Sequence, residues 1–232
     1  MTQELQALLF DLDGTLADTE EAHRQAFNEA FEAFGLGWNW DQTLYKHLLA
    51  VAGGKERIFA YAPAPQKEIL AGLHAETVAK LHVEKTKRYR AKIAAGSISL
   101  RPGVAALIEE AKSARLRLGL ASTTSRANVK ELLAVFFKGR NPFEAIVAGE
   151  DVKAKKPDPE VYLKVLDHLR IGPDSALAIE DSVPGLKAAK AAGLTCLVTP
   201  CKWTEGGNFE GAALVRPDLQ GLTINDLCHL LP

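Results

Sequence analysis

Cysteine is scarce in this 232-residue chain: Cys196, Cys201 and Cys228 are odd in number and match no metal-finger or redox spacing. That argues against a disulfide framework and against a zinc module. Cys196 lies in the apolar stretch 194–198, where a buried free thiol is the plain reading. A reducing compartment suits such a chain. Long apolar runs are missing too. The run from Ala7 to Phe10 is broken at once by Asp11, too short for a signal-peptide core, and no segment approaches the ~18 apolar residues of a membrane span. Nor is there an excess of either charge: 28 Lys+Arg stand against 29 Asp+Glu. No overall basic field therefore points to nucleic acid or an acidic membrane. The expected setting is cytoplasmic, or chloroplast stroma if the chain is a processed plastid protein, and the expected state is a monomer.

What is present is ordinary for a soluble globular protein, with 47% hydrophobic and 25% charged residues. A chain this long buries roughly 70% of its unfolded surface and needs no staples. The run at 7–10, followed by Asp-Leu-Asp-Gly-Thr, reads as a short buried strand ending in a polar loop. A helix is expected from near Thr19, with Asp18 and Glu21 as a capping pair and Phe27, Phe31 and Phe34 on one face. From there to about residue 95 the pattern is helical, punctuated by loops at Gly53-Gly54 and at Pro63/Pro65.

After Gly96 the texture changes. A helix opened by Pro102 leads to a strand at about 116–121, a helix at about 126–137 and a strand around 145–148. A helix beginning at Pro159 and strands at about 176–180 and 194–198, flanking another helix, complete the pattern. Strands alternating with helices imply a parallel sheet covered on both faces. The fold class is therefore α/β: a core of residues 1–16 and 96–232, with an all-helical insertion at 17–95. Residues 201–222, with Trp203 and several glycines, read as a loop of unknown use.

Ligands of a parallel sheet bind outside the carboxyl ends of its strands. Four such places carry unusual polar residues: Asp11 and Asp13; Ser122 and Thr123; Lys156; and Glu180 with Asp181. Singly, each reads equally well as a helix cap, a turn former or a solvated charge. Collected at one edge they supply carboxylates, hydroxyls and an ammonium, a set that suits Mg²⁺ with a phosphate.

These residues resemble the haloacid dehalogenase superfamily of phosphohydrolases. The segment from Phe10 to Leu16 looks like its first motif, Ser122 its second, Lys156 its third, and Glu180-Asp181-Ser182 its fourth. The resemblance runs over essentially the whole chain and implies a Rossmann-like core with a small helical cap. It further implies that Asp11 is a nucleophile forming an aspartyl-phosphate and Asp13 the general acid and base. Mg²⁺ is then held by Asp11, the Asp13 carbonyl and Asp181, with Glu180 close by, while Ser122 and Lys156 hold phosphoryl oxygens. Dehalogenases of this fold do not keep an acid two residues after the nucleophile, so Asp13 favours phosphoryl transfer.

Substrate choice is expected of the cap, through Glu20, His23, Gly54, Lys55, Arg57 and Lys85. Each also has a plainer reading, His23 as a packed cap histidine and the lysines as solvated charge. Lys55 and Arg57, after two glycines in an expected loop, suit anion binding. The segments 37–41 and 53–58, the run from His82 through Lys85-Thr86 to Leu100-Arg101-Pro102-Gly103, and Ser122-Thr123-Thr124-Ser125 look like the CbbY group, found beside the enzymes of carbon fixation (the Calvin cycle). That group hydrolyses xylulose-1,5-bisphosphate to xylulose-5-phosphate. A phosphosugar mutase of the β-phosphoglucomutase type, a phosphatase for another small ester such as phosphoglycolate, and a catalytically dead phosphate sensor are the alternatives.

Overall fold

The computed structural model describes residues 4–51, 53–62 and 74–231. The first apolar run forms β1 (Ala7–Phe10), buried at every position. A strand with no polar face must be covered on both sides. It is joined by β2 (Arg117–Ala121), β3 (Ala145–Val147), β4 (Ala176–Glu180), β5 (Thr195–Val198) and the short β6 (Leu214–Val215). All pair in parallel, in the order β3-β2-β1-β4-β5-β6. The chain order reverses beside β1, so β1 and β4 flank the switch point where open parallel sheets bind ligands. Register brings Phe10 level with Leu120 and with Ile179. Asp11, Ala121 and Glu180 therefore leave the sheet side by side.

The chain forms two compact units, Met1–Asp18 with Ile98–Pro232, and Thr19–Ser97. The second contains α1 (Glu20–Ala33), α2 (Gln42–Leu48), α3 (Gly54–Tyr61) and α4 (His74–Ala94). Its core is aromatic: Phe27 and Phe31 pack with Trp38, Trp40 and Tyr45. The first unit surrounds the sheet with α5 (Val104–Ser113), α6 (Arg126–Phe136), α7 (Glu160–Leu169), α8 (Val183–Ala191) and α9 (Ile224–Cys228). The buried stripe of α7, from Val161 and Tyr162 to Leu169, lies on β2 and β3. Gly119 makes this possible, because a Cβ there would stand 2.4 Å from Val165 Cγ1.

Several local expectations are corrected. Thr19 is the cap of α1 and makes no side-chain cap bond. Glu21 instead pairs with Arg24, and Asp18 lies 3.9 Å from the Arg101 guanidinium. Phe34 is the C-cap of α1, where the helix has already ended, and it is 38% exposed although its spacing is in phase with the apolar stripe. The helix after Pro102 begins at Val104, because Gly103 caps it in the left-handed region. Gly54 opens α3, so Lys55 and Arg57 stand on a helix, and the break falls one residue earlier at Gly53, with φ of 97°. Within 201–222 the chain adds β6 to the sheet edge. Pro63 and Pro65 lie outside the described residues.

Candidate active site

Lys156 joins two strand ends. Its ammonium stands 2.6 Å from Asp11 Oδ1 and 2.6 Å from Glu180 Oε1, and donates to the Ala121 carbonyl at 2.9 Å. All three side chains are buried. Burial alone would push the lysine pKa down, but the two carboxylates outweigh it and the net direction is up. Glu180 is fully buried and its oxygens are occupied: Oε1 also accepts the Tyr162 hydroxyl at 2.7 Å, and Oε2 accepts the Asp181 N–H at 3.2 Å. No hydrogen bond from a described residue reaches the second oxygen of Asp11.

Asp181 follows directly and is 4% exposed. Its Oδ2 accepts from Cys201 Sγ and Thr204 Oγ1, each at 3.2 Å. Asp11, Glu180 and Asp181 each offer an oxygen within 4.8 Å of the other two. Burial, then Glu180 and Asp181, push the Asp11 carboxyl well above its usual range against the opposing pull of Lys156. Burial, then Glu180, raise Asp181 to about 7. Three buried carboxylates with one ammonium leave unbalanced negative charge, and all the donors are hard oxygens. That is the chemistry of a site for a hard divalent cation. Thr15 Oγ1, in the same loop, is buried with no hydrogen-bond partner, a further polar group awaiting company.

Asp13 sits where the chain turns back: it bridges to Ala17, and the Gly14 N–H donates to the Ala17 carbonyl at 2.8 Å. Ser122, at the end of β2, is buried, and its Oγ accepts the Thr124 N–H at 3.1 Å, while half-buried Thr123 lies between them. The cap of α6 is Ser125, which leaves the Ser122 hydroxyl out of helix capping.

In the helical unit, His23 Nδ1 meets the Lys85 ammonium at 2.6 Å, and its ring stacks on Tyr89 at 3.8 Å. Burial and the Lys85 charge drive His23 well below its usual pKa, so the neutral ring accepts from the lysine. Lys85 itself is buried over the Phe27 ring. Glu20 accepts the Tyr45 hydroxyl at 2.8 Å. Arg57 donates to the carbonyls of Leu48 and Val51 and approaches the Tyr45 hydroxyl. Its guanidinium thus closes the end of α2. Lys55 is exposed in the first turn of α3, after Gly54.

Sequence reasoning passed over several participants. Tyr162 reads as a core residue of α7, yet its hydroxyl holds Glu180. Arg101 donates to the carbonyls of Gly14, Thr199, Pro200 and Pro217, tying the loop after β1 to the segment after β5. Cys201 and Thr204 lie in the segment read as a loop. Only their position just beyond a strand end hinted at a role.

This parallel α/β core with acids and a lysine at its switch point defines a hydrolase class. Residues 8–199 match the family described as haloacid dehalogenase-like hydrolase, and the chain belongs to it. It is 48% identical to protein CbbY of Rhodobacter capsulatus over 218 residues, covering 93% of this chain and 94% of that protein. The crystal structure of CbbY from Rhodobacter sphaeroides in complex with phosphate superposes with a TM-score of 0.85 at 44% identity, covering 96% of this chain and 99% of that one. A mutant of the same protein in complex with xylulose-1,5-bisphosphate gives 0.84 at 44% identity, with the same coverage. No helix among the described residues is long and apolar enough to cross a membrane.

Proposed function

We propose that this hydrolase is a Mg²⁺-dependent sugar-phosphate phosphatase whose substrate is xylulose-1,5-bisphosphate. The observation that carries the chemistry is the Lys156 ammonium 2.6 Å from both Asp11 and Glu180, beside Asp181. Lys156 holds one oxygen of Asp11, leaving the other to attack the phosphoryl phosphorus. The ester P–O bond breaks as the Asp11 O–P bond forms, and the departing alkoxide takes a proton from Asp13. Asp13, now a carboxylate, accepts a proton from water as that water attacks the phosphorus. The Asp11 O–P bond then breaks, inorganic phosphate leaves and both acids return to their starting states.

Asp11, Asp181 and the Asp13 carbonyl are the residues that would hold Mg²⁺, with Glu180 beside them. Mg²⁺ bound there offsets the repulsion between an anionic carboxylate and an anionic phosphate. Glu180, saturated by Lys156 and Tyr162, acts chiefly by fixing the lysine. Ser122, Thr123 and Lys156 receive phosphoryl oxygens. The sugar bisphosphate is supported by the relative whose complex contains it and by the cations of the helical unit. Lys55 is an exposed cation in the first turn of α3, while Lys85 and Glu20 hold His23 and Tyr45 and thereby shape the surroundings. Arg57, engaged with backbone carbonyls, supports α2 rather than supplying a free cation.

The test is phosphate release from xylulose-1,5-bisphosphate, ribulose-1,5-bisphosphate and a hexose monophosphate, each with Mg²⁺ and with EDTA. Fast, metal-dependent release from the first is the expected result. Release confined to the others overturns the substrate while keeping the chemistry. An isomerised product without free phosphate replaces the phosphatase with a mutase.

A further inference from the structure

We propose that Cys201 and Thr204, in the segment after β5, are positioning residues that pin Oδ2 of Asp181 and leave its Oδ1 to the metal. This rests on the metal reading above and assigns a purpose to a segment the mechanism does not otherwise use.

Both donors converge on one oxygen. Cys201 Sγ and Thr204 Oγ1 each stand 3.2 Å from Asp181 Oδ2. The Thr204 hydroxyl accepts the Cys201 N–H at 2.9 Å, so one of its lone pairs is used and its own proton remains to be given. Its other acceptors are the Cys201 carbonyl at 3.3 Å and the thiol sulfur at 3.4 Å. A carboxylate is the strongest acceptor of the three. Cys201 and Trp203 are buried, which anchors the segment from within. Arg101 holds its start by donating to the Thr199 and Pro200 carbonyls.

The opposite side is closed as well. The Asp181 carboxylate lies against Gly14 so tightly that a Cβ there would fall 2.1 Å from Oδ2 and 3.2 Å from Oδ1. No described residue donates to Oδ1. The carboxylate can neither rotate toward Gly14 nor leave its two donors without losing hydrogen bonds in a buried place. A ligand oriented in this way binds its cation without first being ordered, and loss of such outer partners typically costs ~10–100-fold in metal affinity.

The experiment is Mn²⁺ binding to the metal-stripped full-length protein, followed by electron paramagnetic resonance, with melting temperatures measured in parallel. C201A and T204V each weaken binding several-fold, and the double variant weakens it by ~10–100-fold. C201S and T204S, which keep an O–H donor, retain most of the affinity. Wild-type affinity in the double variant overturns the inference. So does an equal loss in the serine and the alanine or valine variants, because the segment would then only fill space. Absence of Mn²⁺ binding by the wild-type protein overturns instead the metal reading on which the inference stands.

Discussion

Gly14 lies against Asp181 with no room for a side chain: a Cβ on Gly14 would come 2.1 Å from the Asp181 carboxylate, at a backbone φ of +85°. The loop after β1 and the acid after β4 are thus fitted to each other through an absent methyl group. Gly14→Ala meets both a strained φ and this clash. The Mg²⁺ concentration giving half-maximal turnover should rise by ~10-fold or more. A metal titration of initial rates checks this, and an unchanged midpoint would contradict the fit.

Asp11→Asn keeps the shape of the side chain but removes the nucleophile. Turnover should fall by at least ~1,000-fold, as expected when the group forming the covalent bond is lost. The burial of charge at this position also disappears, so the melting temperature in EDTA should hold or rise. Near wild-type rates in the variant would end the covalent mechanism.

Lys156→Met leaves Asp11 and Glu180 buried without their shared cation. Removing one member of such a buried set costs about 3–5 kcal/mol, and loss of the charge near the phosphoryl group should lower kcat by ~100-fold or more. Urea unfolding in EDTA and then in Mg²⁺ is the check. Part of the lost stability should return with the metal, because it neutralises neighbouring oxygens.

Asp181, raised to about 7 from 3.8 by burial and then Glu180, makes the metal-free protein pH-sensitive. Its folded pKa lies above its unfolded one. The contribution is therefore fully present below the unfolded value and lost as pH rises through about 7. In EDTA, Asp181→Asn should gain stability relative to wild type between about pH 5 and pH 8, and should show no Mg²⁺-induced rise in melting temperature. Parallel pH profiles for the two proteins would refute this.

Two histidines of the helical unit act in the opposite sense. Burial, then the Lys85 charge, drive His23 well below 6.5 and His82 to about 4. Between the folded and unfolded values the unfolded chain binds more protons, so stability falls as pH drops below 6.5. The double variant H23Q/H82Q should flatten that decline in a thermal-melt series from about pH 7 to about pH 4.5. An equally steep decline in the variant would assign it elsewhere.

The parallel sheet was legible because a fully apolar run ending in acids suits a buried strand that opens onto a polar edge, and because strands alternated with helices of clear period. Val161, Tyr162, Val165, Leu166 and Leu169 fall on one face of α7 by spacing alone. Local ends were less legible. Whether Asp18 or Thr19 caps α1, and whether Gly53 or Gly54 breaks the chain, turns on a single residue's backbone angles. Phe34 reads as core by phase, but the helix stops before its position can be used.

By itself the sequence determined the residue types: an oxygen-rich set at successive strand ends, a cation to balance it and a chain with no excess of one charge. Only the tertiary structure decided how those groups are shared. Lys156 lies between Asp11 and Glu180, the hydroxyl of Tyr162 holds Glu180 from within the core, and Arg57 serves the end of α2. Cys201 and Thr204 reach back 20 and 23 residues to Asp181. The reason is physical. Strand periodicity fixes which face a residue takes, whereas a hydrogen bond or ion pair depends on distances of a few tenths of an ångström between segments remote in the chain, and no local pattern encodes those.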